Sequence, residues 1–178
     1  MNQLPPGSNV FLIGPMGSGK SAVGKQLARA LKLTFYDSDA EIERRTGVDI
    51  PYIFEKEGEA GFREREREVI DRLTQLQGVV VATGGGVVLL EENRQRLASR
   101  GCVVYLKTGV QQQLERTRHS RNRPLLYTDD PAARLTELMR VRAPLYESIA
   151  QVVVQTDGRH VRAVTDDILQ RLSAARLQ

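Results

Sequence analysis

A short apolar run and a glycine-rich run stand side by side near the start of this chain. NVFLI (residues 9–13) leads directly into GPMGSGKS (residues 14–21), which has the spacing G-x-x-x-x-G-K-S. The residues that follow repeat apolar side chains at helical intervals, at Val23, Leu27 and Leu31. This order predicts a strand, a tight glycine loop and a helix, as in an α/β fold.

The residue types of the loop suit the binding of phosphate. Glycines allow successive backbone N–H groups to turn inward around phosphate oxygens, and a helix N-terminus adds its positive end at the same point. Lys20 can reach the β- and γ-phosphates, and the Ser21 hydroxyl can ligate Mg²⁺. The sequence therefore predicts a P-loop that binds a nucleoside triphosphate.

A P-loop leaves the destination of the γ-phosphoryl group open, because GTPase switches, ATPase motors and small-molecule kinases all contain one. The chain lacks the Asn-Lys-x-Asp motif that reads guanine, which argues against a GTPase. At 178 residues it is also short for a motor domain.

Five short apolar runs alternate with helical patterns along the chain. The runs cover residues 9–13, 33–36, 78–82, 102–106 and 151–155, and a last helical pattern follows at about residues 160–175. Their nearly continuous apolar character is typical of parallel strands covered on both faces. We therefore expect one α/β domain over residues 1–178, with a wholly helical segment at residues 37–77.

Composition indicates the cellular compartment and the classes of partner rather than the reaction. Lys and Arg number 26 against 22 Asp and Glu, and the net charge of +4 is too weak to indicate nucleic acid. No apolar run approaches the roughly 18 residues of a membrane span, and the start, MNQLPPGSN, lacks the features of a secretory signal. The only cysteine, Cys102, is expected to be a small buried apolar residue, and a reducing cytoplasm is the expected compartment.

Two carboxylates, Asp37 and Asp39, follow the second predicted strand. Ligands gather at the carboxyl ends of parallel strands, so both side chains should lie beside the P-loop. If the backbone stays extended, their spacing points them the same way, one towards Mg²⁺ and one towards an acceptor hydroxyl. The alternative is structural, with Asp39 as the N-cap of the following helix.

Two further features suggest a small acidic acceptor. Gly84, Gly85 and Gly86 follow the third predicted strand and allow backbone to approach a ligand closely, although the triplet also fits a tight turn. Arg63 and Arg142 present planar guanidinium groups suited to a carboxylate, although either one alone also fits an exposed surface.

An arginine-rich stretch, ERTRHSRNR (residues 115–123), runs into Arg123-Pro-Leu-Leu126. It suggests a lid that brings positive charge onto the transferring phosphoryl group. The rival interpretation is a nucleic-acid patch, which is disfavoured because no aromatic residues interleave with its four arginines.

Six motifs of this chain resemble those of the shikimate kinase family, in order and at the same spacing, from about Val10 to Leu172. The motifs are IGPMGSGKS, FYDSDAEIE, EGEAGFREREREVI, VVVATGGG, RPLL and RAPLYE. The resemblance implies a three-layer α/β/α fold of the nucleoside-monophosphate-kinase type, with a central five-stranded parallel sheet. It places the P-loop at residues 14–21, a helical substrate-binding segment at about residues 37–66 and a lid at about residues 117–130.

The resemblance also implies the reaction. The γ-phosphoryl group of ATP would pass, with Mg²⁺, to the 3-hydroxyl of shikimate, in the pathway to chorismate and the aromatic amino acids. ATP and shikimate would be the partners of a monomer, without nucleic acid or membrane. A kinase for another small polyol acid, such as gluconate, and a non-enzymatic binding module are the alternatives.

On the nucleotide side, the resemblance assigns the phosphates to Gly17, Ser18, Gly19, Lys20, Ser21 and Ala22. Arg116 would pack on adenine, and Arg159 would lie in the adenine loop. Ser21 would ligate Mg²⁺ directly, and Asp37 would hold it through water.

On the acceptor side, the resemblance assigns shikimate to Asp39, Arg63, Gly84, Gly85, Gly86 and Arg142. Arg63 and Arg142 would clamp the carboxylate. Lys20, Asp39 and Arg123 would be catalytic, with Asp39 as the candidate base and the two cations on the γ-phosphoryl group. One departure from the family is Val87, where a polar residue often follows the triple glycine, and we expect it to change packing alone.

Overall fold

The computed structural model describes residues 4–175 of the chain. The predicted domain of residues 1–178 thus has residues 1–3 and 176–178 outside the described part. Five strands form one parallel sheet in the order β2-β3-β1-β4-β5. They are β1 (Val10–Ile13), β2 (Thr34–Asp37), β3 (Val79–Ala82), β4 (Cys102–Lys107) and β5 (Val152–Gln155). Each predicted apolar run forms a strand, so this part of the prediction is confirmed.

Helices cover both faces of the sheet. They are α1 (Lys20–Leu31), α2 (Ser38–Thr46), α3 (Ile50–Thr74), α4 (Glu91–Arg100), α5 (Val110–Thr117), α6 (Pro131–Ile149) and α7 (Val161–Ala174). Alternate side chains of β1 divide the core: Val10 and Leu12 pack with α1 and α7, whereas Phe11 and Ile13 pack with residues of α2, α3, α4 and α6. The three-layer α/β/α fold is therefore confirmed.

The sheet order positions the candidate site. β1 is central, and its four residues are fully buried between β3 and β4. Because all strands are parallel, the loops that follow β1, β2 and β3 leave the same edge of the sheet. The P-loop, Asp39 and the triple glycine are thereby brought to one place from widely separated parts of the chain.

The segment at residues 37–77 is helical but broken, so the prediction of a wholly helical segment is wrong in detail. α2 ends at Gly47, which has a left-handed φ of 73°, and α3 begins after Asp49, whose side chain accepts from Tyr52 N (2.9 Å). Inside α3, Gly58 has φ 70° and ψ −177°, which interrupts the helix. Both breaks occur at glycines, because a positive φ carries little steric cost there.

Two expectations from composition can be compared with the described residues. Cys102 is half-buried, and burial raises the pKa of its thiol, which disfavours the reactive thiolate. Within residues 4–175, no helix is both long and apolar enough to cross a membrane.

Candidate active site

The P-loop leaves β1 with a backbone that requires glycine. Gly14, Gly17 and Gly19 have φ values of 145°, 76° and 88°. A Cβ on Gly14 would lie 2.6 Å from the carbonyl oxygen of Leu106, a contact that a side chain cannot make. Gly19 is the N-cap of α1 and makes no side-chain cap bond, so the first N–H groups of this helix are available to an anion.

Lys20 is buried against the loop that it follows. Its ammonium donates to the carbonyl oxygens of Gly14 (2.7 Å) and Pro15 (2.8 Å) and to Ser18 Oγ (3.2 Å). Burial, together with the neighbouring Arg123 cation, lowers the pKa of Lys20 to about 7. The P-loop thus holds the Lys20 ammonium on its inner side, against its own carbonyl groups.

Asp37 connects the P-loop helix to α2. The Ser21 hydroxyl donates to Asp37 Oδ2, while Asp37 Oδ1 accepts from the backbone N–H groups of Asp39 (3.0 Å) and Ala40 (3.2 Å). Asp37, the last extended residue before Ser38, is therefore the N-cap of α2. The alternative that assigned this cap to Asp39 is wrong, and so is the assumption that the backbone stays extended through Asp39.

Asp39 lies in the first turn of α2 with its carboxylate largely unpaired. Its Oδ1 atom is buried and has no hydrogen-bond partner among the described residues. Burial raises the pKa of Asp39 to about 7, the Glu66 and Asp37 carboxylates act in the same direction, and Arg123 and Lys20 oppose them. A buried oxygen of this kind is suited to accept a hydrogen bond from a ligand.

Arg63, whose side chain is 12% exposed, and Glu66 form an ion pair one helical turn apart on α3. Arg63 Nη1 donates to Glu66 Oε1 (2.9 Å), and Arg63 Nη2 donates to Glu59 Oε1 (3.2 Å). Glu66 is fully buried, and burial raises the pKa of its carboxyl group. Glu66 Oε2 and Arg63 Nε have no partner in the described part of the chain. Arg142 of α6 is only 4% exposed, so neither predicted clamp residue is an ordinary surface arginine.

The triple glycine lies between these charged groups. A Cβ on Gly84 would lie 2.8 Å from Glu66 Oε2 and 2.9 Å from Asp39 Oδ1. A Cβ on Gly86 would lie 2.5 Å from Arg63 Cζ. The segment is also a turn, since Val87 N donates to the Gly84 carbonyl (3.1 Å). The structure thus confirms the tight turn, and the close approach that it shows is to the side chains of Glu66, Asp39 and Arg63.

Two adjoining cavities surround these residues. The first, here called the phosphate-loop cleft, is lined by Gly17, Gly19, Lys20, Ser21, Ala22, Asp37 and Arg116. The second, here called the arginine pocket, is lined by Met16, Phe54, Phe62, Arg63, Glu66, Gly86 and Arg142. Asp39, Gly84, Gly85 and Arg123 line both cavities, so the two meet at one carboxylate and one guanidinium group.

The arginines of the predicted lid and adenine loop occupy different positions. Arg123 lies at the junction of the two cavities, with a buried Nε that has no partner within residues 4–175. Arg116 is exposed at the cleft and donates to the Gly17 carbonyl (3.0 Å). Arg159 lines neither cavity; it donates to Asp167 Oδ2 (3.0 Å) and to the Gln155 carbonyl (2.9 Å).

The chain is similar in sequence to known proteins of one family. A family model described as "Shikimate kinase" matches residues 16–173. A shikimate kinase of Methylococcus capsulatus is 62% identical over 152 residues, which are 85% of this chain and 84% of that protein. One of Halorhodospira halophila is 59% identical over 165 residues, 93% of each. The chain belongs to the shikimate kinase family.

Solved structures agree with this membership. Shikimate kinase from Acinetobacter baumannii, in complex with shikimate, has a TM-score of 0.94 and 47% identity, with 96% of each chain covered. A gluconokinase from Sinorhizobium meliloti has a TM-score of 0.61 at 19% identity, covering 96% of this chain and 93% of that one, and shares the fold alone. As a member of the shikimate kinase family, the chain is an ATP-dependent kinase, as the resemblance of its motifs implied.

Glu66 is a site residue that the sequence reasoning missed. Most charges of GFREREREVI belong to a solvated helix face, where they form exposed pairs such as Arg67 with Glu64. Glu66, however, stands four residues after the buried Phe62 and three before the buried Val69, within the apolar stripe of α3. A carboxylate at a core-facing position was the signal that could have identified it.

Proposed function

We propose that this chain transfers the γ-phosphoryl group of ATP to the 3-hydroxyl of shikimate, giving ADP and 3-phosphoshikimate on the route to chorismate and the aromatic amino acids. The observation that carries the proposal is the junction of the two cavities. Asp39 and Arg123 line both the phosphate-loop cleft and the arginine pocket, so a phosphoryl donor and a hydroxyl acceptor can meet there. The 47% identity to a shikimate kinase in complex with shikimate supports the choice of acceptor.

The arginine pocket has the chemistry to hold shikimate, which is a ring with one carboxylate and three hydroxyl groups. Arg63 and Arg142 supply guanidinium groups for the carboxylate. The unpaired oxygens of Asp39 and Glu66 are acceptors for ring hydroxyls, and the backbone of Gly85 and Gly86 supplies N–H donors. Phe54 and Phe62, whose ring centroids are 4.9 Å apart, form an apolar wall for the ring carbons.

Asp39 orients the attacking hydroxyl. Its buried carboxylate accepts the hydrogen bond of the 3-hydroxyl, which directs the oxygen lone pair towards the phosphorus atom. A pKa of about 7 allows the same carboxylate to receive the proton as the new oxygen–phosphorus bond forms. In a loose transition state the proton leaves late, so Asp39 first orients the hydroxyl and accepts its proton only afterwards.

The phosphoryl group is held from both sides of the junction. The N–H groups of Gly17, Ser18, Gly19, Lys20, Ser21 and Ala22 surround the β- and γ-phosphates of ATP. The Lys20 ammonium moves from the loop carbonyls to the γ-phosphoryl oxygens, and Arg123 of the lid approaches them from the opposite side. Arg116, which donates to the Gly17 carbonyl, would contact the nucleotide base, and the loop after β5 that contains Arg159 would complete the base site.

The residues beside the P-loop also fit Mg²⁺. Among the described residues no three His, Cys, Asp or Glu side chains form a metal cluster, but Mg²⁺ characteristically takes one or two carboxylates together with phosphates and waters. The Ser21 hydroxyl and the Asp37 carboxylate are already in hydrogen-bond contact at the phosphate-loop cleft. Ser21 would be the direct ligand of Mg²⁺, and Asp37 would hold the ion through water. When bound, Mg²⁺ neutralises charge on the β- and γ-phosphates.

The proposal extends to the segments of the domain, its oligomeric state and its cellular compartment. Residues 37–66 form the substrate-binding segment and residues 117–130 the lid of a monomer, because the described residues of one chain supply every group assigned above. We place the enzyme in the cytoplasm, where ATP is available, and assign it no nucleic-acid or membrane partner.

An ADP-release assay tests the proposal. With Mg-ATP and the purified protein, we expect ADP to form rapidly with shikimate and at background rate with gluconate or with water alone. The product should be the 3-phosphate ester, identified by ³¹P and ¹H NMR. Equal turnover with gluconate, or release of ADP without an acceptor, would contradict the assignment.

A further inference from the structure

Tyr146 is a buried residue to which the proposed function gives no role. It lies on α6, one turn after Arg142, and is fully buried. Its ring packs on that of Tyr105 in β4, with centroids 5.0 Å apart. Its hydroxyl donates to the carbonyl oxygen of Gly85, in the middle of the triple glycine.

The carbonyl groups of the triple glycine are held in different ways. The Gly84 carbonyl accepts from Val87 N (3.1 Å) and the Gly86 carbonyl accepts from Leu89 N (3.1 Å), both within the local turn. The Gly85 carbonyl is instead held from across the molecule, 61 positions along the chain, by the Tyr146 phenol. The N–H groups of Gly85 and Gly86 donate to no acceptor within residues 4–175.

Because a peptide unit is planar, the bond from the Tyr146 hydroxyl to the Gly85 carbonyl also sets the direction of the Gly86 N–H donor. The carbonyl of Gly85 and the N–H of Gly86 belong to one planar trans peptide unit, so they point in opposite directions. With the carbonyl held on the side of the buried phenol, the Gly86 N–H points away from it, and Gly86 lines the arginine pocket beside Arg63. Glycines on both sides of a peptide unit leave it free to rotate unless something holds it.

We propose that Tyr146 is a positioning residue for the acceptor: its hydroxyl holds the Gly85 carbonyl and so fixes the Gly86 N–H as a donor to an oxygen of the bound substrate. The inference rests on the proposed function for the identity of that substrate. The restraint itself is a property of the free protein. Tyr146 lines neither cavity, and its hydroxyl lies beside the Arg142 guanidinium as well as on the Gly85 carbonyl, so the Gly86 amide itself, and not the KM for shikimate alone, reports the restraint.

Tyr146→Phe removes the hydroxyl and keeps the ring. We expect the KM for shikimate to rise about tenfold, as for the loss of one well-placed hydrogen bond at a buried site, with the KM for ATP changed less than about twofold. Tyr105→Phe is the matched control, because it removes the other hydroxyl of the same aromatic pair and this hydroxyl has no partner among the described residues. We expect that control to leave both KM values unchanged.

Amide NMR on glycine-labelled protein separates this inference from the proposed function. In the wild-type protein, shikimate should shift the Gly86 amide resonance; an unmoved resonance would overturn the inference even if no variant folds. In Tyr146→Phe without substrate, the Gly86 amide should exchange with solvent faster than in Tyr105→Phe. Unchanged exchange, or a shikimate KM within twofold of wild type while wild type turns shikimate over, would also overturn it. A wild-type protein inactive on shikimate would instead count against the proposed function.

Discussion

The two cavities of this site are built in opposite ways. One wall of the phosphate-loop cleft comes from a single short segment, residues 17–22, whose groups are backbone N–H donors and one buried ammonium. The arginine pocket is assembled from side chains on α2, α3, α6, the lid and the loop after β3. The difference indicates that the first recognises a feature common to all nucleotides, whereas the second selects one acceptor.

Substitutions in one cavity should therefore spare the binding of the other cavity's substrate, and substitutions at the junction should act mainly on turnover. Lys20→Met gives the largest expected effect. It removes a cation from the transferring phosphoryl group, and kcat should fall about 10⁴-fold, within the range that one such cation supplies. Calorimetric titration should show shikimate binding retained. Lys25→Met, at an exposed position of the same helix, is the control and should keep normal turnover.

Asp39→Asn tests the junction. The amide keeps the size of the side chain but cannot receive the proton of the hydroxyl, so kcat should fall about 10³-fold with little change in ATP affinity. Asp49→Asn is a matched control, because Asn caps a helix about as well as Asp does. Near-normal turnover in Asp39→Asn would remove Asp39 from the catalytic role.

Arg63→Ala and Arg142→Ala test the independence of the arginine pocket. Loss of one guanidinium group from a buried carboxylate clamp should raise the KM for shikimate about 100-fold, while the KM for ATP stays within about twofold. Arg65→Ala and Arg140→Ala remove exposed arginines from the same two helices and serve as controls. If the KM for ATP rises as much as the KM for shikimate, the division between the two cavities is wrong.

Gly14→Ala should give the smallest effect, which is a decrease in the free energy of unfolding. The added Cβ would meet the Leu106 carbonyl at 2.6 Å, so the backbone of the cradle must shift. We expect this variant to lose about 2 kcal/mol more of the free energy of unfolding than Gly47→Ala does. Gly47 also has a positive φ, of 73°, but a Cβ there meets nothing within 4 Å. Urea denaturation measures both, and equal losses would contradict the close approach.

The same contrast explains what the sequence could predict. The P-loop and the five strands are local patterns, and each is found where it was predicted. The residue types alone made Asp39, Arg63 and Arg142 candidates, and the resemblance to a family supplied their roles, because their convergence depends on the sheet order. The cap at Asp37 was missed because Asp37 and Asp39 are equally good capping residues by type.

Other features depended on the tertiary structure. Glu66 was missed because one buried carboxylate within a highly charged helix resembles its exposed neighbours. The kink at Gly58 was missed because a glycine within a helical pattern is tolerated in many helices without a break. Tyr146 received no role because its bond to Gly85 joins positions 61 residues apart.

The most direct test of the central claim compares shikimate with its methyl ester as acceptor for the unaltered protein. The ester keeps the ring and all three hydroxyl groups but removes the carboxylate charge. If Arg63 and Arg142 select the acceptor through that charge, kcat/KM should fall about 100-fold or more for the ester, with the KM for ATP unchanged. Equal kcat/KM values for the acid and the ester would contradict the account.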